Sequence, residues 1–377
     1  MLVTLVSGVI FANLFELIVK RTAVNSNRSG PDSALHTRRV PAEWEPQEAV
    51  WVQWPGAYEK SYEKAFGSFA CIILNYEKLH IAYHSNEVLL EARDALDAAG
   101  CRADHEQLSW HEIPNDNAWM RDNGPIFVEE NGALRVQDWG FNAWGGRFGN
   151  DIPYLLDDQV PARVANYLGM PRDVVNIIHE RGNLEFNGVD SVILNWSTLG
   201  DSARNPSYTQ EQAKADLVHW FGVDKVVFIE GVPEGDLTNG HIDGIARFIS
   251  ADVVVVAQCT EDSLCSPGDG GTGSILDAAA RIISDAGFKV IRDPIEGFAT
   301  FKGQRFDANY LNWLVGNGFV ITTGYDDELL DGRASTRLQG YFPGRDIYVL
   351  PMLGSWAAGG GVHCHTNDQP ALVRQSP

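Results

Sequence analysis

The stretch GGGVHCHT (359–366), close to the end of the chain, places a cysteine between two histidines. A cysteine acts as a nucleophile when nearby positive charge or backbone N–H groups favour its thiolate. Cys364 could instead be a metal ligand, half of a disulfide or inert packing. Neighbouring residues on a strand point to opposite faces, which argues against one metal ion held by the whole triplet. The sequence therefore predicts a candidate nucleophile at Cys364 and no metal site.

The stretch GHIDG (240–244) offers a proton-transfer group beside a carboxylate. His241 and Asp243 are two positions apart, so on an extended segment their side chains face the same side. A histidine next to a carboxylate suits general acid–base chemistry near neutral pH. A hydrogen-bonded loop pair without a catalytic role is the alternative.

The stretch WMRDNGP (119–125) places a carboxylate and an aromatic side chain beside a turn. Asp122 directly precedes Asn-Gly-Pro, which is a strong turn signal. Trp119 could supply a flat apolar wall. A planar cation is bound well by two parallel hydrogen bonds to a carboxylate together with stacking on an aromatic ring. An Asx turn to the local backbone is the alternative.

The stretch HERGNLEF (179–186) is a weaker candidate. Glu180 and Asn183 precede a strand, and Glu180 could polarise the histidine of the acid–base pair. Taken alone, this pattern favours a surface turn.

Short apolar strands alternate with amphipathic helices from Val40 onward, which predicts a mixed α/β fold. Predicted strands are rich in Val, Ile and aromatic residues: AVWVQW, KLHIAYH, GPIFVEE, DSVILNWS, KVVFIEG, ADVVVVAQ, GFVITTGY and DIYVLPM. Predicted helices show a 3.6-residue apolar period: NEVLLEARDALDAAG, TQEQAKADLVHWFG and SILDAAARIISDAG. Thr209 with Gln212 resembles a capping box at the second helix.

The formal charge of −21, from 50 acidic against 29 basic residues, argues against nucleic acid as a partner. An acidic field would attract cationic substrates, although solubility alone also explains it. CSPGDGGTGS lacks the GK[ST] of a phosphate-binding loop, and no GxGxxG follows a strand, so no nucleotide cofactor is expected.

The five cysteines are irregularly spaced and form no CxxC pair. We therefore expect neither a zinc knuckle nor a disulfide framework, which indicates a reducing, cytoplasmic location. Leu2–Val19 is an apolar segment followed by Lys20 and Arg21. It could act as a weak membrane anchor or as a targeting segment. We favour an upstream extension, with residues 1–38 outside the fold and no stable membrane association. Residues 39–377 then form a single catalytic domain.

Several ordered motifs across residues 40–372 resemble the agmatine deiminase family, relatives of the bacterial peptidylarginine deiminases. The motifs are VPAEWEPQEAVWVQWP, NDNAWMRDNGPIFV, GNLEFNG, TNGHIDGIARF, FPGRDIYVLP and GGGVHCHTNDQP. The resemblance implies the pentein fold, a five-bladed α/β propeller with pseudo-fivefold symmetry.

The resemblance also implies roles at matching positions. Cys364 would be the nucleophile and His241 the general acid/base. Asp122 and Asp243 would hold a guanidinium group, and Glu180 would hold the histidine. Trp119 and Asn183 are further candidates for substrate binding.

Two departures from the family pattern affect the expected specificity. Glu180-Arg181-Gly182 replaces the usual Glu-Gly-Gly, and HTNDQP replaces ITQQQP after the cysteine. Arg181 near the mouth of the site could favour a substrate that carries a carboxylate.

The implied reaction is hydrolysis of agmatine to N-carbamoylputrescine and ammonia through an amidino-cysteine, a step of putrescine and polyamine biosynthesis. Neither a metal nor an organic cofactor would be needed. Deimination of free or peptidyl arginine, transfer of the amidino group to an amine, and an inactive binding module are the alternatives. The sequence leaves open whether the protein forms a homodimer.

Overall fold

The computed structural model describes residues 38–56, 59–268 and 270–372. The extension predicted over residues 1–38 lies outside the described residues, except that Arg38 pairs with Glu130 in a short strand. Among the described residues, no helix combines the length and the apolar character that crossing a bilayer requires.

The described strands are β1 (Arg38–Arg39), β2 (Gln47–Gln53), β3 (Lys78–Tyr83), β4 (Leu108–Glu112), β5 (Ile126–Glu130), β6 (Ala133–Gly140), β7 (Arg172–Ile178), β8 (Glu185–Phe186), β9 (Ser191–Asn195), β10 (Lys225–Ile229), β11 (Ala246–Ser250), β12 (Val253–Cys259), β13 (Lys289–Ile295), β14 (Phe298–Phe301), β15 (Gln304–Asp307), β16 (Leu314–Gly316), β17 (Phe319–Gly324), β18 (Asp346–Pro351) and β19 (Thr366–Pro370). The longer helices are α1 (Glu63–Leu74), α2 (Asn86–Ala99), α3 (Val160–Leu168), α4 (Gln210–Phe221), α5 (Thr272–Asp285) and α6 (Glu328–Tyr341). Short helical segments span Lys60–Tyr62, Met120–Asn123, Ala143–Gly146, Gly149–Asp151, Asp157–Gln159, Arg181–Asn183, Trp196–Leu199, Ile242–Gly244, Leu353–Trp356 and Val362–His365.

One strand arrangement recurs five times in the described sheets. The central strand is β2, β6, β9, β12 or β17. It pairs antiparallel with β19, β5, β8, β11 or β16, and parallel with β3, β7, β10, β13 or β18. A helix, respectively α1, α3, α4, α5 or α6, makes each parallel crossover, as parallel pairing requires. This fivefold repetition of one module is what the predicted pseudo-fivefold fold implies.

The module built on β12 illustrates how the core forms. Val254, Val255 and Val256 are all completely buried, so this strand reads as a continuous apolar run rather than an alternating one. Leu276 and Ile283 of α5 belong to the same buried cluster. Each such aliphatic side chain contributes about 1.5 to 3 kcal/mol by its burial.

All eight strands and all three helices predicted from the sequence are confirmed, with ends that differ by a few residues. The capping box of Thr209 and Gln212 is present at the start of α4. Helix α2 ends where Gly100 adopts a left-handed conformation with φ of 92°, which glycine accepts without a Cβ clash.

The expectation that the cysteines form no disulfides is wrong for four of the five. Cys71 is bonded to Cys101, which ties α1 to the end of α2. Cys259, at the end of β12, is bonded to Cys265 in the following loop. Cys364 is the free cysteine and is buried. Since disulfides persist mainly in oxidising surroundings, the cysteine content no longer supports a reducing compartment.

Candidate active site

Each of the five modules supplies a polar side chain from the segment just before its first strand. These residues are Asp122 before β5, Glu180 before β8, His241 and Asp243 before β11, Asn312 before β16, and Cys364 before β19. All of them are buried, with at most 4% of the residue surface exposed. Equivalent positions of a repeated module therefore converge on one site, although they are far apart in the sequence.

Asn312 holds the thiol of Cys364 from the neighbouring module. Its Nδ2 lies 3.1 Å from the Cys364 sulfur and donates to Asp243 Oδ2 at 3.1 Å. The thiol itself is 3.6 Å from the same Asp243 oxygen. The Asn312 Oδ1 accepts from the backbone N–H of Gly361 at 3.0 Å, which fixes the amide orientation. Sequence reasoning missed Asn312 because YLNWLVGNG carries no charged or histidine side chain.

Close packing around the candidate nucleophile requires glycine at the two positions before Val362, Gly360 and Gly361. A Cβ on Gly360 would lie 2.5 Å from the Cys364 sulfur. A Cβ on Gly361 would lie 2.0 Å from Thr323 Oγ1 and 2.8 Å from Asn312 Oδ1. The cysteine can approach its neighbours only because these positions lack side chains.

His241 lies between two carboxylates. Its Nδ1 is 3.5 Å from Asp122 Oδ1, and its Nε2 is 3.6 Å from Glu180 Oε2. Both ring nitrogens and Asp122 Oδ1 are buried without a hydrogen-bond partner among the described residues. A Cβ on Gly182 would lie 2.5 Å from that Asp122 oxygen, so a glycine is needed there. These unpartnered atoms are available to a ligand.

Glu180 is held by an arginine that sequence reasoning did not single out. The Arg204 Nε donates to both Glu180 oxygens at 2.9 and 3.0 Å, and its Nη2 donates to the Thr238 carbonyl at 2.8 Å. Glu180 and the Arg204 side chain are fully buried. This ion pair fixes the carboxylate that faces His241.

The electrostatics of the site favour a protonated histidine and a neutral thiol. Burial opposes the imidazolium, but the charges of Asp122, Glu180 and Asp243 outweigh it and raise the pKa of His241 to about 9. Burial, together with the charges of Asp243 and Asp122, raises the pKa of the Cys364 thiol well above its usual value. A cation bound beside the carboxylates would reverse that effect on the thiol.

The two acids that face the site differ in their titration. Burial raises the pKa of Asp122 to about 6, with the charges of Asp243 and Glu180 acting in the same direction. Burial would also raise the pKa of Glu180, but the Arg204 charge prevails and lowers it to about 2. Near neutral pH both groups are therefore mainly carboxylates.

The two histidines beside Cys364 have separate partners. His363 Nδ1 donates to Asp243 Oδ2 at 2.7 Å, a bond that helps to lower the pKa of Asp243 despite its burial. His365 Nδ1 donates to the Ala118 carbonyl at 2.7 Å. Within the described residues, no group of three or more His, Cys, Asp or Glu side chains is placed to hold a metal ion.

A pocket of about 740 Å³ opens beside His241. The segments at 233–237, 264–265, 304–307 and 356–359 contribute most of its wall. Three carboxylates, those of Glu234, Asp236 and Asp307, line it against one arginine, Arg305. Among the six converging residues, His241 is the one that lines this pocket, whose carboxylates favour a cation.

Residues 39–370 match the model of the Porphyromonas-type peptidyl-arginine deiminase family. The chain belongs to this family. It is 32% identical to an agmatine deiminase of Pseudomonas savastanoi, over 88% of this chain and 95% of that protein. It is 31% identical to an agmatine deiminase of Pseudomonas putida, over 89% of this chain and 96% of the relative.

The structure of the agmatine deiminase of Enterococcus faecalis superposes on this family member with a TM-score of 0.76 and 26% identity. The match covers 92% of this chain and all of the other. A substrate-bound agmatine deiminase of C. jejuni has the same fold, with a TM-score of 0.77 at 22% identity over 89% and 96% of the two chains. The pentein fold expected from the sequence is thereby confirmed.

Two side chains expected to contact a substrate in this family member are engaged elsewhere. The Arg181 guanidinium is buried and donates to Asp368 at 2.9 Å, so it is not a free cation at the mouth. Asn183 Nδ2 donates to the Asn195 carbonyl, and its Oδ1 accepts from the Asn195 N–H, both at 2.9 Å. Both side chains therefore have hydrogen-bond partners within the protein.

Trp119 lies beside the nucleophile. It belongs to the same buried aromatic cluster as Cys364, and its ring approaches Gly360 closely. His365 stacks on the Trp119 ring, with ring centroids 4.2 Å apart and 23° between the planes. The indole is therefore held rigidly and can serve as an apolar wall of the site.

Proposed function

We propose that this protein hydrolyses agmatine to N-carbamoylputrescine and ammonia through a covalent amidino-cysteine. The observation that carries the proposal is the convergence of Cys364, His241 and the carboxylates of Asp122 and Asp243 in one buried site. Relatives about 30% identical over nearly the whole chain are agmatine deiminases.

Substrate recognition follows from charge and shape. A guanidinium stays protonated at any working pH and presents N–H donors in one plane. Asp122 and Asp243 accept these N–H groups, and Trp119 bounds the plane. The acidic pocket beside His241 suits the second cation of agmatine better than the carboxylate of free arginine.

The first half of the reaction forms the covalent intermediate. The guanidinium charge stabilises the thiolate, so the Cys364 proton leaves to solvent as the substrate binds. The sulfur attacks the guanidinium carbon, and a carbon–sulfur bond forms as the C=N π electrons move to nitrogen. His241, protonated at rest, gives its proton to one NH₂ group. Ammonia leaves with the electrons of the broken C–N bond.

The second half restores the enzyme. Neutral His241 takes a proton from water, and the resulting hydroxide attacks the amidino carbon. The carbon–sulfur bond breaks as the C=O bond forms, and the thiolate leaves. The hydroxyl proton passes to solvent. The ureido product departs, and His241 keeps the proton needed for the next cycle.

A substrate panel tests the proposal. Agmatine, free arginine and a peptide containing arginine are each incubated with the protein, and ammonia and ureido product are measured. We expect equal amounts of both from agmatine, with slower turnover of the others. Preference for peptidyl arginine would identify the arginine deiminase alternative. Loss of ureido product to an added acceptor amine would identify amidino transfer.

Two variants test the assigned chemistry. Cys364→Ala should bind agmatine without turnover, and retained turnover would exclude the covalent route. Asp122→Asn should lower kcat/KM at least a hundredfold, because a charged hydrogen-bond partner of the substrate is lost. Asp157→Asn is the matched control, since Asp157 is another fully buried aspartate that accepts from Asn117 rather than facing the site.

A further inference from the structure

Residues Ala143–Gly146 form a single turn of left-handed helix. The φ angles of Ala143, Trp144, Gly145 and Gly146 are 53°, 55°, 80° and 65°. Glycine accepts this conformation, but the Cβ of alanine or tryptophan is crowded by the carbonyl oxygen that follows it. Two consecutive non-glycine residues in this region persist only where surrounding contacts compensate for the strain, and such places cluster at functional sites.

The contacts around the turn are specific. Asn142 caps it, because the Asn142 side-chain oxygen accepts from the Gly145 N–H at 2.8 Å and its carbonyl accepts from the Gly146 N–H at 2.9 Å. The Trp144 ring packs edge to face against Phe141 and Trp119, with centroids 5.2 and 6.4 Å apart. The indole consequently has one fixed orientation.

That orientation directs the indole N–H at Asp122. Trp144 Nε1 donates to Asp122 Oδ2 at 2.8 Å, and both side chains are buried. The other oxygen, Oδ1, is left without a hydrogen-bond partner among the described residues and lies 3.5 Å from His241. The indole thus determines which carboxylate oxygen is occupied and which one faces the site.

The same turn lies close to the arginine that supports Glu180. A Cβ on Gly145 would lie 3.0 Å from Asp201 Oδ2 and 3.4 Å from Arg204 Nη1. Arg204 in turn donates to both Glu180 oxygens. One strained turn therefore lies against the supports of both acids that flank His241.

We propose that Trp144 is a positioning residue that acts through Asp122, holding one oxygen so that the other is presented to the guanidinium group of the substrate. This inference rests on the proposed function, because it assigns Asp122 to guanidinium binding. Without the indole N–H the carboxylate can rotate about its Cβ–Cγ bond, and a charge-assisted hydrogen bond to it is lost. The substrate then meets a carboxylate that is less ordered and more readily protonated.

The test compares Trp144→Phe with Trp139→Phe. Both tryptophans are 5% exposed, and Trp139 likewise donates its indole N–H to a side chain, Gln137, at 2.9 Å. Phenylalanine keeps most of the ring packing and removes the donor. We expect kcat/KM for agmatine to fall about tenfold to a hundredfold in Trp144→Phe, the loss expected for a hydrogen bond to a charged group. Trp139→Phe should stay within about threefold of the unsubstituted protein.

Binding measurements separate positioning from a general loss of structure. Agmatine is titrated calorimetrically into Cys364→Ala, with and without Trp144→Phe, across the pH range. Affinity should weaken on acidification as Asp122 takes up its proton, and in Trp144→Phe this weakening should begin at higher pH. In an Asp122→Asn background, Trp144→Phe should add little, because the residue acts through that carboxylate.

The possible outcomes are distinct. Unchanged kinetics and pH dependence in Trp144→Phe, with the unsubstituted protein active, would overturn the role of Trp144. Full additivity with Asp122→Asn would overturn it as well. Absence of turnover of every guanidine by the unsubstituted protein would instead contradict the proposed function itself.

Discussion

Arg181 and Asp368 form a buried ion pair, with the guanidinium 2.9 Å from the carboxylate. The resemblance to the agmatine deiminase family leads us to expect glycine and glutamine at these two positions, so both are departures from the expected pattern. The two departures contact each other, and we interpret them as a compensating pair. Arg121 Nη1 also donates to Asp368, at 2.7 Å, so one carboxylate serves two buried guanidinium groups.

This arrangement predicts that Asp368→Gln and Arg181→Gly lower the stability by different amounts and that their effects are not additive. Asp368→Gln leaves two buried guanidinium groups without a carboxylate and should lower the free energy of unfolding by about 3 to 5 kcal/mol. Arg181→Gly should cost less, because Asp368 keeps Arg121. The double substitution should cost at least about 1 kcal/mol less than the sum of the two. Denaturant unfolding of the three variants measures these differences.

An exposed pair provides the control for that cycle. Arg102 and Asp104 are joined at 2.8 Å, but their side chains are 78% and 73% exposed. Asp104→Asn should therefore change stability by less than about 1 kcal/mol. Strict additivity for Arg181 and Asp368 would contradict the interpretation of the two departures as a compensating pair.

The pH dependence of the reaction follows from the Cys364–His241 pair. The reacting form has one proton fewer than the resting pair of thiol and imidazolium. In the free protein the first proton to leave is that of His241, whose pKa is raised to about 9. The rate constant kcat/KM should therefore rise about tenfold per pH unit from neutral pH and level off near pH 9.

Glu180→Gln tests the cause of that profile. Glu180 is one of the carboxylates that raise the pKa of His241, so its neutralisation should move the levelling point to lower pH. Steady-state kinetics with agmatine over a range of pH give the position of that point in each protein. An unmoved levelling point would show that another group controls the profile.

Sequence reasoning reached the groups that carry charge or a reactive atom but not those that hold them. His241 and Cys364 stand out by type within glycine-rich stretches. Asn312 and Trp144 do not, because amides and indoles are common in ordinary loops and cores. Asn312 contacts Cys364, 52 positions away in another module, and Trp144 contacts Asp122, 22 positions away in the same module. Neither contact can be read from local spacing.

The strands were predictable where they are rich in Val, Ile and aromatic residues. Strand β19, TNDQP, escaped because four of its five residues are polar, although all five are buried. Its partner is β2, from the opposite end of the chain, and Trp51 Nε1 donates to Gln369 across the pair. A polar strand of this kind can be recognised only when its hydrogen-bond partners are known.

Asn312 provides a test of how the thiol is held. Asn312→Asp would place a carboxylate where an amide lies 3.1 Å from the sulfur, which should raise the pKa of the Cys364 thiol further. We expect kcat/KM to fall at least a hundredfold, with slower labelling of the thiol by iodoacetamide. Asn187→Asp is the control, because Asn187 is also buried but its hydrogen bonds go to residues 189–191 and to the Ala251 carbonyl, not to the thiol. Equal rates in the Asn312 variant would argue against its contact with the thiol.

The two disulfides predict the thiol content and an unequal loss of stability. Protein denatured without reductant should show one reactive thiol, and five after reduction. Serine at both Cys71 and Cys101, which are 30 residues apart, should lower the free energy of unfolding by about 3 to 4 kcal/mol. Cys259 and Cys265 are six residues apart, so their disulfide closes a smaller loop. Loss of this disulfide should lower the free energy of unfolding by about 2 kcal/mol.

The shorter disulfide should also affect the reaction, whereas the longer one should not. Cys265 lines the pocket beside His241, and the backbone N–H groups of Leu264 and Cys265 donate to Asp307 in the same wall. Freeing this loop should raise KM for agmatine several-fold with little change in kcat, because it alters the surroundings of the substrate's tail and not the reacting atoms. Serine at Cys71 and Cys101 provides the comparison. An equal rise of KM in both double variants would indicate a general loosening of the fold rather than a role for the Cys265 loop.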